Sequence, residues 1–122
     1  MKKILIVDDD SRMLKLIKGY LEEFYTVYPV RGGSDALAFL DENIPDAIIL
    51  DYVMPALDGP HTLELIRKKD GCSDIPVIFL TGVTNKDKVE ECMAYSPYSY
   101  MVKPVAKEEL LLKLGEVFSE KD

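Results

Sequence analysis

A chain of 122 residues, 48% hydrophobic and 30% charged, has the length for one continuous core and is too apolar for disorder. Its net charge of −7 opposes a phosphate backbone, so direct nucleic-acid binding by this domain is not expected. No apolar run approaches the ~20 residues of a membrane span, and the short block behind MKK falls below the roughly 7–15 residues of a signal-peptide core, which points to a cytoplasmic protein.

Ile4–Val7 is a continuous, β-branched run of the kind buried on both faces of a parallel sheet, and it runs straight into Asp8, Asp9 and Asp10. Met13, Leu14, Ile17, Tyr20 and Leu21 then share one helical face, with Asp10 or Ser11 as the cap. Tyr25–Val30 is a mixed strand whose Pro29 suits the edge of a sheet. A helix over Ser34–Leu40 leads to a second apolar block, Ala47–Leu50, which ends at Asp51 within DAIILDYVMP. The next helix covers Thr62–Lys68. His61, the single histidine, stands near its start and reads as a surface residue, not a relay histidine.

Val77–Leu80 forms the fourth strand and ends at Thr81 in VIFLTG. A helix over Asp87–Ala94 precedes the shortest strand, Tyr100–Val102, which ends at Lys103 in YMVKP. Leu110, Leu111, Leu114 and Phe118 line a last amphipathic helix. Cys72 and Cys92 have no metal-ligand spacing and read as free thiols.

Five strands alternating with five helices predict a doubly wound α/β sandwich, one domain over residues 1–122 with right-handed crossovers. In such sheets chemistry sits beyond the carboxyl ends of the strands. There the pattern collects Asp8 to Asp10, Asp51, Thr81 and Lys103. Grouped carboxylates disfavour one another's ionisation unless a cation offsets them, and oxygen ligands with few protein donors suit Mg2+. One carboxylate could then act as a nucleophile toward phosphorus, giving an aspartyl phosphate. The transferred group needs its oxygens neutralised by metal, ammonium and hydroxyl.

The stretches IVDDD, LDYVMPALDG, FLTG and YMVKP, in that order and over the whole length, resemble the receiver domain of bacterial two-component response regulators. The resemblance implies a three-layer sandwich with strand order 2-1-3-4-5. It makes Asp51 the phosphoacceptor, served by a sensor histidine kinase or a histidine phosphotransfer protein. Mg2+ would be held by Asp9, Asp51 and the backbone carbonyl of Val53, with Asp8 assisting through a metal-bound water. Thr81 and Lys103 would hold phosphoryl oxygens, and Thr81 with Tyr100 would form the switch. Pro104 matches a proline preceded by a cis peptide bond, and Asp58-Gly59 a turn in which glycine takes positive φ. Phosphorylation would remodel the face of the fourth helix, fifth strand and fifth helix for a protein target, or for a phosphorylation-dependent dimer. The implied domain is a switch, not an enzyme: it catalyses only its own phosphorylation and slow autodephosphorylation.

Two departures from the family pattern stand out. Val53 and Val83 offer no polar group to position an attacking water, which predicts slow self-dephosphorylation. In AYSPYSY, residues 94–100, the family usually has a Gly-Ala pair, and Pro97 is expected to push Ser96 toward extended geometry. Among rival readings, VDDDS fits a haloacid-dehalogenase-type phosphatase with Asp8 as nucleophile and Asp10 as acid/base. That chemistry needs further acidic residues after the fourth strand, and VIFLTGVTN has none. A flavodoxin-type cofactor site would need a hydroxyl- and glycine-rich loop where this chain puts three negative charges.

Overall fold

The central strands form where the apolar runs leave no polar face to show to water. In the computed structural model, which describes residues 1–121, the elements are β1 (Lys3–Val7), α1 (Ser11–Leu21), β2 (Thr26–Val30), α2 (Gly33–Leu40), β3 (Ala47–Leu50), α3 (Gly59–Lys68), β4 (Val77–Thr81), α4 (Lys86–Met93), β5 (Ser99–Val102) and α5 (Lys107–Lys121). Asp122, the last residue of the expected span, lies outside the described residues. All strand pairs are parallel and the sheet order is β2-β1-β3-β4-β5. Both match the expectation from the sequence.

Alternate residues of each central strand feed opposite layers. Ile4, Ile6, Ile49, Ile78 and Leu80 pack with Leu14, Ile17, Leu110 and Leu114 of α1 and α5. Leu5, Val7, Ile48, Leu50, Val77 and Phe79 pack with Ala36, Leu40, Leu63 and Ile66 of α2 and α3. Each of the larger side chains contributes about 1.5–3 kcal/mol by leaving water, so the two layers hold the strand ends in fixed register. Pro29 sits opposite Ile6 in the edge strand β2, where its missing N–H costs least. Among the described residues no helix is long and apolar enough to cross a membrane.

Three helix starts carry side-chain caps, the first of them at Asp10 as expected. The Asp10 carboxylate accepts from Arg12 N–H at 2.9 Å to open α1, and Asp58 accepts from His61 N–H at 3.0 Å to open α3. Asn85 does the same for α4 through Asp87 N–H, also at 3.0 Å.

Two local expectations are corrected. Gly59 is not in the left-handed region. Among the described residues those with positive φ are Ala56 (φ 68°), Gly71 (φ 79°) and Ser96 (φ 56°). Glycine is required at 59 because a Cβ there would lie 2.4 Å from the Asp51 carbonyl oxygen and 2.8 Å from Tyr52 Cα. Ser96 is left-handed rather than extended. Pro97 bars the right-handed helical region to it, but the chain must still close the end of α4. It does so by Tyr95 N–H to Cys92 O (3.2 Å) and Ser96 N–H to Met93 O (3.1 Å). The freed carbonyls of Tyr95 and Ser96 then accept from the Arg67 guanidinium at 3.3 and 3.1 Å.

Candidate functional site

Register decides which strand-end side chains meet. Val7 pairs with Leu50, and Asp51 N–H donates to the Val7 carbonyl at 3.0 Å, so Asp8 and Asp51 leave the sheet side by side. Thr81 pairs with Val102, and Lys103 N–H donates to the Thr81 carbonyl at 3.0 Å, which brings Lys103 to the same rim. Asp8, Asp51 and Thr81 are the charged or hydroxyl residues buried here, each with no more than 6% of its whole surface exposed. The peptide bond between Lys103 and Pro104 is cis, as expected.

The ammonium of Lys103 lies 2.8 Å from Asp8 Oδ2 and 3.4 Å from Asp51 Oδ2. The other carboxylate oxygens take backbone donors: Asp10 N–H gives to Asp8 Oδ1 at 2.9 Å and Tyr52 N–H to Asp51 Oδ1 at 2.8 Å. Half-buried Asp9 completes the group, and oxygens of Asp8, Asp9 and Asp51 lie within 4.8 Å of one another.

Burial pushes the Asp51 carboxyl above its ordinary range, and the charge of Asp8 adds to that; the Thr81 hydroxyl, the Lys103 ammonium and the Tyr52 N–H pull the other way. For Lys103, burial works against the charged form, but the hydrogen bond to Asp8 and the charge of Asp51 win and hold its pKa above the ordinary lysine value. The pocket is therefore a cation-seeking one that a single ammonium only partly neutralises.

The residues singled out from sequence fall as follows. Asp8, Asp9, Asp51, Thr81 and Lys103 converge. Val53 stands two residues beyond Asp51 with a side chain 60% exposed. Tyr100 is half-buried, its ring 5.8 Å from that of Phe79, and its hydroxyl donates to the Val83 carbonyl at 2.5 Å, in the loop after Thr81. Gly82, beside Thr81, has open space where a Cβ would go.

Tyr52 was missed by the sequence reading. It is 8% exposed, donates its N–H to the candidate acceptor and its hydroxyl to Glu91 at 3.2 Å. Burial first, then Glu91, pushes its phenol up to about 12, so it stays a donor at neutral pH. Its signal was its place directly after a strand-end aspartate.

His61 is on the surface as expected, its side chain 61% exposed, with Nδ1 2.7 Å from Asp58 Oδ1. That hydrogen bond, then the charge of Asp58, raises the imidazole pKa, and Glu91 and Glu64 add to it. A raised folded-state pKa means the His61–Asp58 pair stabilises fully below the unfolded pKa and its contribution fades as pH rises through the folded one. NMR titration should place the imidazole above its usual ~6.5. His61→Gln should flatten the Tm-against-pH curve from about pH 6.5 upward.

The family model described as the response regulator receiver domain matches residues 4–115. The chain is similar to the chemotaxis protein CheY of Pseudomonas aeruginosa, 30% identical over 118 residues covering 95% of each chain. It is 34% identical over 113 residues to the transcriptional regulatory protein PrrA of Mycobacterium tuberculosis, covering 92% of this chain and 48% of that one. It thus spans about half the length of the curated transcriptional regulators it matches. Among solved structures, CheY4 of Vibrio cholerae superposes with TM-score 0.91 at 30% identity, covering 96% of this chain and 98% of the other. The BeF3-activated DrrB receiver domain does so with TM-score 0.88 at 27% identity, covering 98% of both. Sheet order, strand-end chemistry and these matches agree: the chain belongs to the response regulator receiver domain family, the phosphoacceptor signalling domains of two-component systems.

Proposed function

We propose that Asp51 is the acceptor of a phosphoryl group supplied by a sensor histidine kinase or a histidine phosphotransfer protein. One observation carries this: of the two buried carboxylates that face the Lys103 ammonium, Asp51 is the one that also has the Thr81 hydroxyl as a partner, with its Oδ1 held by the Tyr52 N–H. In the transfer an Asp51 oxygen forms the new O–P bond, and the P–N bond breaks with its electron pair left on the donor imidazole. Lys103 and the Thr81 hydroxyl hold the oxygens of the arriving group, and Asp51 is kept oriented by the Tyr52 N–H.

The donor set fits a hard divalent ion, being oxygen throughout and gathered within 4.8 Å. Asp9, Asp51 and the Val53 carbonyl would hold Mg2+, with Asp8 assisting through water. When bound, the ion supplies positive charge to phosphoryl oxygens. The added charge of roughly −1.5 to −2 then draws Thr81 toward Asp51, loosens the loop that Tyr100 holds through Val83, and turns Tyr100 inward. The face of α4, β5 and α5 changes for a protein partner or a second copy, in the cytoplasm.

Incubation with acetyl phosphate and Mg2+, followed by intact mass, tests the reading. A phosphoryl adduct is expected on the wild type and none on Asp51→Asn. An adduct that survives Asp51→Asn and vanishes in Asp8→Asn would favour the phosphatase-like chemistry instead. Because Val53 and Val83 place no polar group beside the acceptor, the adduct should persist for many minutes. A lifetime of seconds, followed by the same mass assay after desalting, would overturn that expectation.

A further inference from the structure

The helix α4 is poorly served by the apolar core: of its eight residues only Cys92 is buried. Polar contacts hold its C-terminal end. Arg67 donates to the Tyr95 and Ser96 carbonyls, and the Tyr95 hydroxyl donates to Glu64 Oε2 at 3.1 Å. The body of the helix instead meets Tyr52, whose hydroxyl donates to Glu91 Oε2 at 3.2 Å and whose ring carries the Lys88 ammonium 5.8 Å from its centroid.

Tyr52 also touches the acceptor. Its N–H donates to Asp51 Oδ1 and its carbonyl accepts from Gly59 N–H, both at 2.8 Å. With the peptide held on both sides and the ring buried, the position of the phenol follows from the peptide at Asp51. We propose that Tyr52 is a positioning residue that couples the chemical state of Asp51 to α4, through its own N–H at one end and its hydroxyl on Glu91 at the other.

The coupling rests on Asp51 being the acceptor. While Asp51 is a carboxylate, the bond from Tyr52 N–H is charge-assisted, and such bonds are about twice as strong as neutral ones. In the acyl phosphate, Oδ1 is either a neutral carbonyl oxygen or the bridging ester oxygen. Both accept less well, so the Tyr52 peptide is held less firmly and Glu91 and Lys88 feel the change through the ring. This route reaches the middle of α4. The contact of Tyr100 with Val83 reaches only the loop before it.

Hydrogen exchange of the α4 amides, read by mass spectrometry with and without saturating beryllofluoride and Mg2+, tests the proposal. Beryllofluoride should change α4 exchange in the wild type. Tyr52→Phe keeps the ring and the N–H but lacks the hydroxyl. Without beryllofluoride its α4 amides should exchange roughly fivefold faster, and the beryllofluoride response should shrink. Glu91→Ala, altered on the exposed end of the same contact, should give the same pattern, and the double variant should add nothing further. A full wild-type response in either single variant overturns the coupling while leaving the acceptor reading intact. An α4 that does not respond in the wild type while beryllofluoride binds also overturns it. Failure of the wild type to bind beryllofluoride overturns the acceptor reading and the coupling with it.

Discussion

Gly59→Ala is expected to destabilise the domain by about 3 kcal/mol or more. The added Cβ would meet the Asp51 carbonyl oxygen at 2.4 Å, Tyr52 Cα at 2.8 Å and Phe79 Cε1 at 2.9 Å. Two of these are backbone atoms, and the backbone there cannot drift. Asp51 N–H is bonded to the Val7 carbonyl and Gly59 N–H to the Tyr52 carbonyl, at 3.0 and 2.8 Å. Relief requires either the end of β3 or the start of α3 to move, and both carry fully buried residues such as Leu50 and Leu63. Asp51, the proposed acceptor, moves with β3, so phosphorylation by acetyl phosphate should slow in the same variant. Gly82→Ala is the matched control. Nothing lies within 4 Å of its Cβ, and its stability should stay within about 0.5 kcal/mol of the wild type. Urea unfolding reads both, and a loss below about 1 kcal/mol for Gly59→Ala would sink the close-approach account.

That glycine marks where sequence reading stopped. The central strands were legible because Ile4–Val7, Ala47–Leu50 and Val77–Leu80 are buried on both faces, and only uninterrupted apolar runs suit that setting. The site was legible for a related reason. In a doubly wound sheet the strand ends are where polar groups can gather, so Asp8, Asp51, Thr81 and Lys103 group together from the sequence pattern alone. What was not legible depended on contacts between distant segments. Gly59 looked like a turn glycine, yet its constraint is the backbone of Asp51 and Tyr52. Pro97 ruled out one conformation for Ser96, but its left-handed geometry goes with the loop closure that Arg67 supports from α3. Tyr52 gave no periodic signal at all. Its meaning comes from Glu91, thirty-nine positions away.

Lys103→Met should produce the largest loss of function among the pocket variants that keep Asp51, the proposed acceptor. The methionine retains most of the stem's bulk and removes the charge. In the wild type the Lys103 ammonium, 19% exposed, lies 2.8 Å from an Asp8 carboxylate that is 9% exposed and 3.4 Å from an Asp51 carboxylate that is 8% exposed. Without it the two acids face each other in a buried pocket, a cost of about 3 kcal/mol at neutral pH. The sign with pH follows from the shifts. Asp51 already has a raised folded-state pKa, so the native state holds its proton longer than the unfolded chain, and stability falls as pH rises from the unfolded pKa through the folded one. Losing Lys103 removes one of the groups that hold that pKa down. The window widens, and the deficit of the variant should narrow toward acid pH as Asp51 takes a proton. At alkaline pH the deficit should narrow again. The raised pKa of Lys103 makes its contribution full below the ordinary lysine value and lost above the folded one. Phosphoryl uptake from acetyl phosphate should slow by about 10²- to 10³-fold, because no ammonium neutralises the arriving oxygens. Adding Asp8→Asn tests the stability part: it should restore most of the stability by removing one buried charge, while the rate stays low, Asp8 being also proposed to help hold Mg2+. A double variant that regains its rate would mean that Lys103 serves only to balance charge in the resting pocket.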